Sequence, residues 1–279
     1  MKPGFRNRVS RVGTPTVSGP MFLLACAAIF AVNAWAQERV PHIGYLYPAG
    51  GQQGTVMQTL AAGQFMRGAN NAYVSGEGVH ATVMQYAGPL TNDQIRDVRQ
   101  QINMLIRKRR AGLDAELLGL PEHPLLRNIE KMDLRELEHW QKAYFDRDKR
   151  PMNPQLSEMV LLEVTIDANA PPGDRELRLG TANGLTNPLR FQVQAAPELC
   201  EREPNDLDAS EMGTVDAPVV LNGQIIAGDV DRFRFRARKG QHIVIEAFAR
   251  ALMPYLPDAV PGWFQPVLTL YDAQGKELA

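Results

Sequence analysis

Cysteine is scarce in this chain. Its 279 residues hold two, Cys26 and Cys200. No C-x-x-C-H occurs, which excludes covalent haem attachment. A surplus of charge is lacking too. Thirty Lys and Arg stand against 31 Asp and Glu, net −1, so bulk electrostatics offers no footprint for a nucleic-acid partner. Long apolar runs are missing. Met21–Val32 spans 12 residues, against ~20 needed to cross a bilayer. Catalytic patterns are also absent. There is no G-x-S-x-G, and Ser75, Ser157 and Ser210 sit in loop-like contexts. His42, His80, His123, His139 and His242 are scattered, and none forms H-E-x-x-H. Glu122-His123 and Glu138-His139 read as surface pairs. Gly76-x-Gly78 lacks the third glycine of a dinucleotide loop and reads as a turn. Glu198 and Glu201 flank Cys200 and raise its pKa, which argues against a nucleophile. The expectation is a non-enzymatic segment with no catalytic or cofactor-binding residue.

What is present begins with an address. Lys2, Arg6, Arg8 and Arg11 form a basic start without an acid, the apolar run follows, and Ala34-Trp35-Ala36 supplies a small-x-small site. This is the pattern of a signal peptide over residues 1–36. A lipoprotein box at Leu23-Leu24-Ala25-Cys26 is disfavoured because the apolar run continues past the cysteine. Cleavage removes four basic residues and takes the net charge from −1 to −5. It leaves Cys200 alone, so no internal disulfide is expected. The mature protein is expected to be secreted, periplasmic or at the cell surface, with no stable membrane span.

Composition is 44% hydrophobic and 22% charged, with 23 Gly and 20 Pro. That excludes wholesale disorder and argues against an all-α bundle. Strands are expected at His42–Tyr47, closed by a turn at Pro48-Ala49-Gly50-Gly51, then at Thr55–Leu60, Ala72–Val74 and Val79–Tyr86. The period then changes. Thr91-x-x-Gln94 is a capping box before Ile95, Val98, Ile102, Leu105 and Ile106. The helix closes on the basic residues Arg107–Arg110, read as a solvated helix end. Asp133-x-x-Glu136 opens a second helix, with Leu134, Leu137, Trp140 and Tyr144 inward. Residues 91–150 therefore predict a helical hairpin. Strands return with Val160, Leu162, Val164 and Ile166 alternating, then Glu176–Leu179, the Asn183-Gly184 hairpin and Pro188–Val193.

The opening Ile43…Pro48-x-Gly50-Gly51 with Gly63, then Pro172-Gly173-Asp174-Arg175-Glu176-Leu177 and Asn187-Pro188-Leu189-Arg190-Phe191-Gln192-Val193, resemble an immunoglobulin-like domain of the IPT/TIG type. The resemblance covers residues 41–89 and 156–194, and the helical insert departs from it. The domain is expected over 37–195, with the insert at 91–150.

From residue 196 the character changes. Glu201-x-Glu203-Pro204-Asn205-Asp206 is acidic and turn-rich. Phe233, Phe235 and Ala237 alternate with Arg232, Arg234, Arg236 and Arg238, the period of a strand. His242–Phe248 and Val267–Tyr271 are expected as further strands. Six residues offer the oxygen chemistry that calcium prefers: Glu201, Glu203, Asn205, Asp206, Asp229 and Asp231. A solvated acidic linker explains the same composition equally well. The first acidic run, Gly228-Asp229-x-Asp231-x-Phe233-x-Phe235 and Leu268-x-Leu270-x-Asp272-x-x-Gly275 together resemble the bacterial pre-peptidase C-terminal domain. The resemblance implies a small β-sandwich over 196–279 without its last strands, and calcium at the matching linker.

The fold expectation is mainly β, two β-sandwich domains, the first with an inserted α-helical hairpin. The function expectation is an exported, non-catalytic binding or presentation protein for a polymer, cell-surface or protein ligand. The alternative is the non-catalytic N-terminal part of a secreted peptidase whose catalytic domain lies beyond residue 279.

Overall fold

The computed structural model describes residues 39–113, 119–145, 153–205, 212–225, 229–249, 251–252 and 266–278. The expected signal peptide, Asp206 and Gly228 lie outside them. The chain is mainly β, with several sheets. Val40–Ala279 clusters as one compact unit.

In chain order the strands of the first part are β1 (His42–Tyr47), β2 (Gly50–Gln52), β3 (Val56–Gln64), β4 (Asn71–Val74), β5 (Val79–Ala87), β6 (Glu158–Ile166), β7 (Gly173–Thr181), β8 (Gly184–Leu185) and β9 (Leu189–Gln194). One sheet runs β1-β3-β6-β5, and the other runs β2-β9-β7-β4 with β8 paired to β7. Alternate residues of both sheets meet in one core. Ile43, Ala61, Leu162 and Val164 come from the first, and Leu177, Leu179, Phe191 and Val193 from the second. Each such large side chain stabilises the fold by ~1.5–3 kcal/mol on burial. Asn187 braces the two sheets. Its Oδ1 accepts from Ile43 N at 2.7 Å and its Nδ2 donates to Ile43 O at 2.9 Å, beside the register slip between Ile43 and Tyr45. That slip turns Tyr45 and Tyr47 onto the outer face, opposite Ala62 and Leu60.

The expected turn at Gly50-Gly51 is corrected. These residues begin β2, which pairs in parallel with Gln192–Gln194. A Cβ at Gly50 would lie 2.5 Å from Gln192 O, so glycine here serves a close strand approach, not a reversal.

Between β5 and β6 lie α1 (Asn92–Arg110) and α2 (Leu134–Tyr144). Both expected capping boxes form, at Thr91/Gln94 and Asp133/Glu136. Ile95, Val98, Ile102, Leu105 and Ile106 meet Leu137, Trp140 and Phe145 in a separate apolar cluster. Tyr144 departs from its expected inward place. It is 37% exposed, while the next residue, Phe145, is 2% exposed and fills the core position. The segment touches the first sheet through Arg127, whose Nη1 donates to Gln58 Oε1 at 3.3 Å. His123 is not a surface residue, being 5% exposed. Its Nδ1 accepts from Leu125 N at 3.3 Å, and its ring also bonds the Gly88 backbone just past β5.

The last part carries β10 (Glu198–Cys200), β11 (Thr214–Asp216), β12 (Val220–Asn222) and β13 (Arg234–Arg236). β10 pairs with β12 and β11 with β13, both in parallel. Phe233 and Phe235 are half-buried while Arg232, Arg234 and Arg236 are exposed, as the alternation predicts; Ala237 is exposed and departs from it. The expected strands at His242–Phe248 and Val267–Tyr271 are corrected. Neither forms a ladder, and only Tyr271 makes a bridge, to Glu277. Val244 is 86% and Val267 84% exposed. Alternation marks a strand only when a partner and a covering layer reward it, and among the described residues neither is there.

Candidate metal centre

The site grows from the end of β10. Its ladder with β12 continues one step beyond the strand, where Glu201 N donates to Asn222 O at 2.8 Å. This fixes Glu201 beside the Asn222-Gly223-Gln224 corner. Gln224 N donates to Glu201 Oε1. Asn205 N donates to Glu203 Oε2 at 2.8 Å, and Asn205 Nδ2 donates to Glu201 Oε2 at 3.2 Å. The acidic run is therefore folded back on itself. Asp231 arrives from the segment before β13. One oxygen each of Glu201, Glu203 and Asp231 lie within 4.8 Å of one another. Gly223 makes this possible. A Cβ there would collide with Asp231 Oδ2 and stand 2.9 Å from Glu201 Oε2.

Three carboxylates this close repel one another. Burial, with the neighbouring charges of Asp231 and Glu203, pushes the Glu201 carboxyl up to about 8, against the bonds from Gln224 and Asn205 that lower it. Asn205 is 1% exposed, and its Oδ1 is buried with no donor. Turning the amide over would set that oxygen against Glu201 Oε2, so its orientation is held.

Of the six sequence-predicted ligands, Glu201, Glu203 and Asp231 are brought together and Asn205 is bonded to two of them. Asp229 stands outside the group of three, and its Oδ1 accepts from Val230 N at 3.2 Å. Asp206 lies outside the described residues.

Sequence reasoning missed the surroundings. Burial first, then Cys200, Glu201, Tyr144 and Asp231, push the Tyr47 phenol up. Burial, then Glu201 and Glu203, do the same to Tyr144. Both phenols therefore lie within electrostatic range of the carboxylates. Burial also raises the Cys200 thiol, with help from Glu198 and Glu201, although the Tyr47 hydroxyl donates to it and lowers it. Alternation alone would set Tyr45 and Tyr47 on the core face with Ile43, so the register slip that turns them outward hid them from the sequence. Tyr144 stands in an aromatic run with Trp140 and Phe145 that helical spacing assigned to the core.

The other candidates have structural employment. Ser75 Oγ accepts from Glu176 N and Ser157 Oγ donates to Pro154 O; Ser210 lies outside the described residues. In the basic run, Arg107 donates to Asn103 O, Arg109 to Glu130 O and Arg110 to Glu138. No helix among the described residues is long and apolar enough to cross a membrane. No protein-family model, no curated protein and no solved structure matches this chain.

Proposed function

We propose that the chain is an exported, non-catalytic binding or presentation protein. In this reading an IPT/TIG-like sandwich interrupted by a helical hairpin leads into a pre-peptidase C-terminal-type module, and the entrance of that module holds calcium. The observation that carries the cation is the gathering of three carboxylates, two of them bonded by Asn205, whose own Oδ1 is buried without a donor. Buried acceptors of this kind call for a partner, and a cation satisfies amide and carboxylate oxygens together. The donor set is all oxygen, of mixed carboxylate and amide type, which suits calcium better than a metal preferring nitrogen or sulfur. Glu201, Glu203, Asn205 and Asp231 would hold the ion, which would supply charge compensation and cross-link the entrance segment to the segment before β13.

Isothermal calorimetry of calcium into the chelator-treated full chain tests this. A saturable heat is expected, weakened at least tenfold by Asp231→Asn and left unchanged by Glu122→Gln, an exposed acid of the insert. No heat, together with a melting temperature indifferent to chelator, overturns it.

A further inference from the structure

We propose that Arg202 couples the carboxylate site to α2, so that filling the site with a divalent cation fastens the two-helix insert. The inference rests on the cation reading above and adds a regulatory consequence to it. Arg202 lies between Glu201 and Glu203, two of the gathered carboxylates. Its side chain reaches the capping box of α2, 66 and 69 residues away in the chain. Nε donates to Glu136 Oε1 at 2.6 Å, and Nη2 stands 3.4 Å from Asp133 Oδ2.

Each box carboxylate is divided between two tasks. Asp133 Oδ1 accepts from Glu136 N at 2.8 Å, and Glu136 Oε2 accepts from Asp133 N at 2.6 Å. Those oxygens cap the helix. The remaining oxygen of each faces Arg202. The guanidinium thus fits the two capping carboxylates, whose charge outweighs the positive end of the helix dipole. An exposed ion pair alone does little. Here two carboxylates share one fork, and the Glu136 side chain is only 19% exposed.

An ion drawing Glu201 and Glu203 together fixes the backbone on both sides of Arg202. This favours the docked arrangement at the N-terminus of the 11-residue helix.

Linkage makes such coupling reciprocal. Whatever the cation adds to the docking of α2, docking adds to cation affinity. The test is amide hydrogen exchange of the full chain, with calcium and with chelator, read over 134–144 beside calorimetry. Calcium is expected to slow exchange there about fivefold, a modest coupling. Arg202→Gln should still bind calcium, with an affinity about fivefold weaker, and should lose the slowing. Arg202→Lys keeps the charge without the fork and should fall between. Asp133→Asn, in the box and remote from the ion, should weaken affinity in the same sense. Calcium heat with unchanged exchange over 134–144 would overturn the coupling and leave the cation reading intact. Slowing that survives Arg202→Gln would also overturn it. Absence of calcium heat in the unsubstituted chain removes the cation reading, and this inference with it.

Discussion

At the scale of single residues, Glu201 is the strained member of its group. It is bonded to Gln224 and Asn205, yet it faces Asp231 and Glu203. Removing its charge relieves the repulsion and removes a ligand. Glu201→Gln is therefore expected to raise the melting temperature in chelator at pH 8.5 by about 2–4 °C, the equivalent of ~1 kcal/mol at this size. The same substitution should abolish the calcium response. A variant that melts lower in chelator would mean that the carboxylates do not oppose one another. The carboxylates themselves were legible in the sequence as oxygen donors in two short acidic runs, Glu201 with Glu203 and then Asp231. Asp229 was misplaced for a physical reason. Two residues at i and i+2 share a face only in a regular strand, and the strand here begins later, at Arg234. Tyr144, Tyr47 and Arg202 were not legible as neighbours, since they meet the site through folding of distant segments.

At the scale of elements, the helices were read most completely. Their caps and their 3.6-residue period are local properties, and both survive into the structure at Thr91/Gln94 and Asp133/Glu136. Their apolar cluster is separate from the core between the sheets. Ile102 is 0% exposed within it. Ile102→Ala should cost about 2–5 kcal/mol of the insert's stability. The loss should appear as an earlier transition in the helical circular-dichroism signal, while the sheet core melts unchanged. A single unshifted transition would sink this. β2 was not legible, because Gly50-Gly51 carries turn chemistry and its partner β9 lies some 140 residues on. The reverse error at His242–Phe248 and Val267–Tyr271 has the same root. A strand's alternation is a local pattern, but its stability belongs to the neighbour.

At the scale of the whole molecule, the buried His123 and the half-buried Glu201 titrate in opposite senses, and each adds its own slope to stability against pH. His123 is held neutral by burial, which lowers its pKa from 6.5 against the Gly88 bond that raises it. Its contribution is complete above 6.5 and is lost as pH falls through the lowered folded value. Protonation would also take away the Nδ1 lone pair that receives Leu125 N. Glu201 runs the other way in the cation-free protein. Its folded value is raised from 4.5 to about 8, so its contribution is complete below 4.5 and drains away as pH climbs through 8. Just below 6.5 the two slopes oppose each other. Between 6.5 and 8 only Glu201 acts, and stability should fall with rising pH. Calcium holds Glu201 ionised and removes that limb, adding ~2.7 kcal/mol at 100 times Kd. The melting temperature in chelator should therefore be lower at pH 8.5 than at 6.5. In calcium it should be level across that window and decline only below 6.5. His123→Gln should remove the acid decline and leave the chelator-dependent alkaline one. Parallel profiles in calcium and chelator would show that neither the ion nor Glu201 governs the alkaline side.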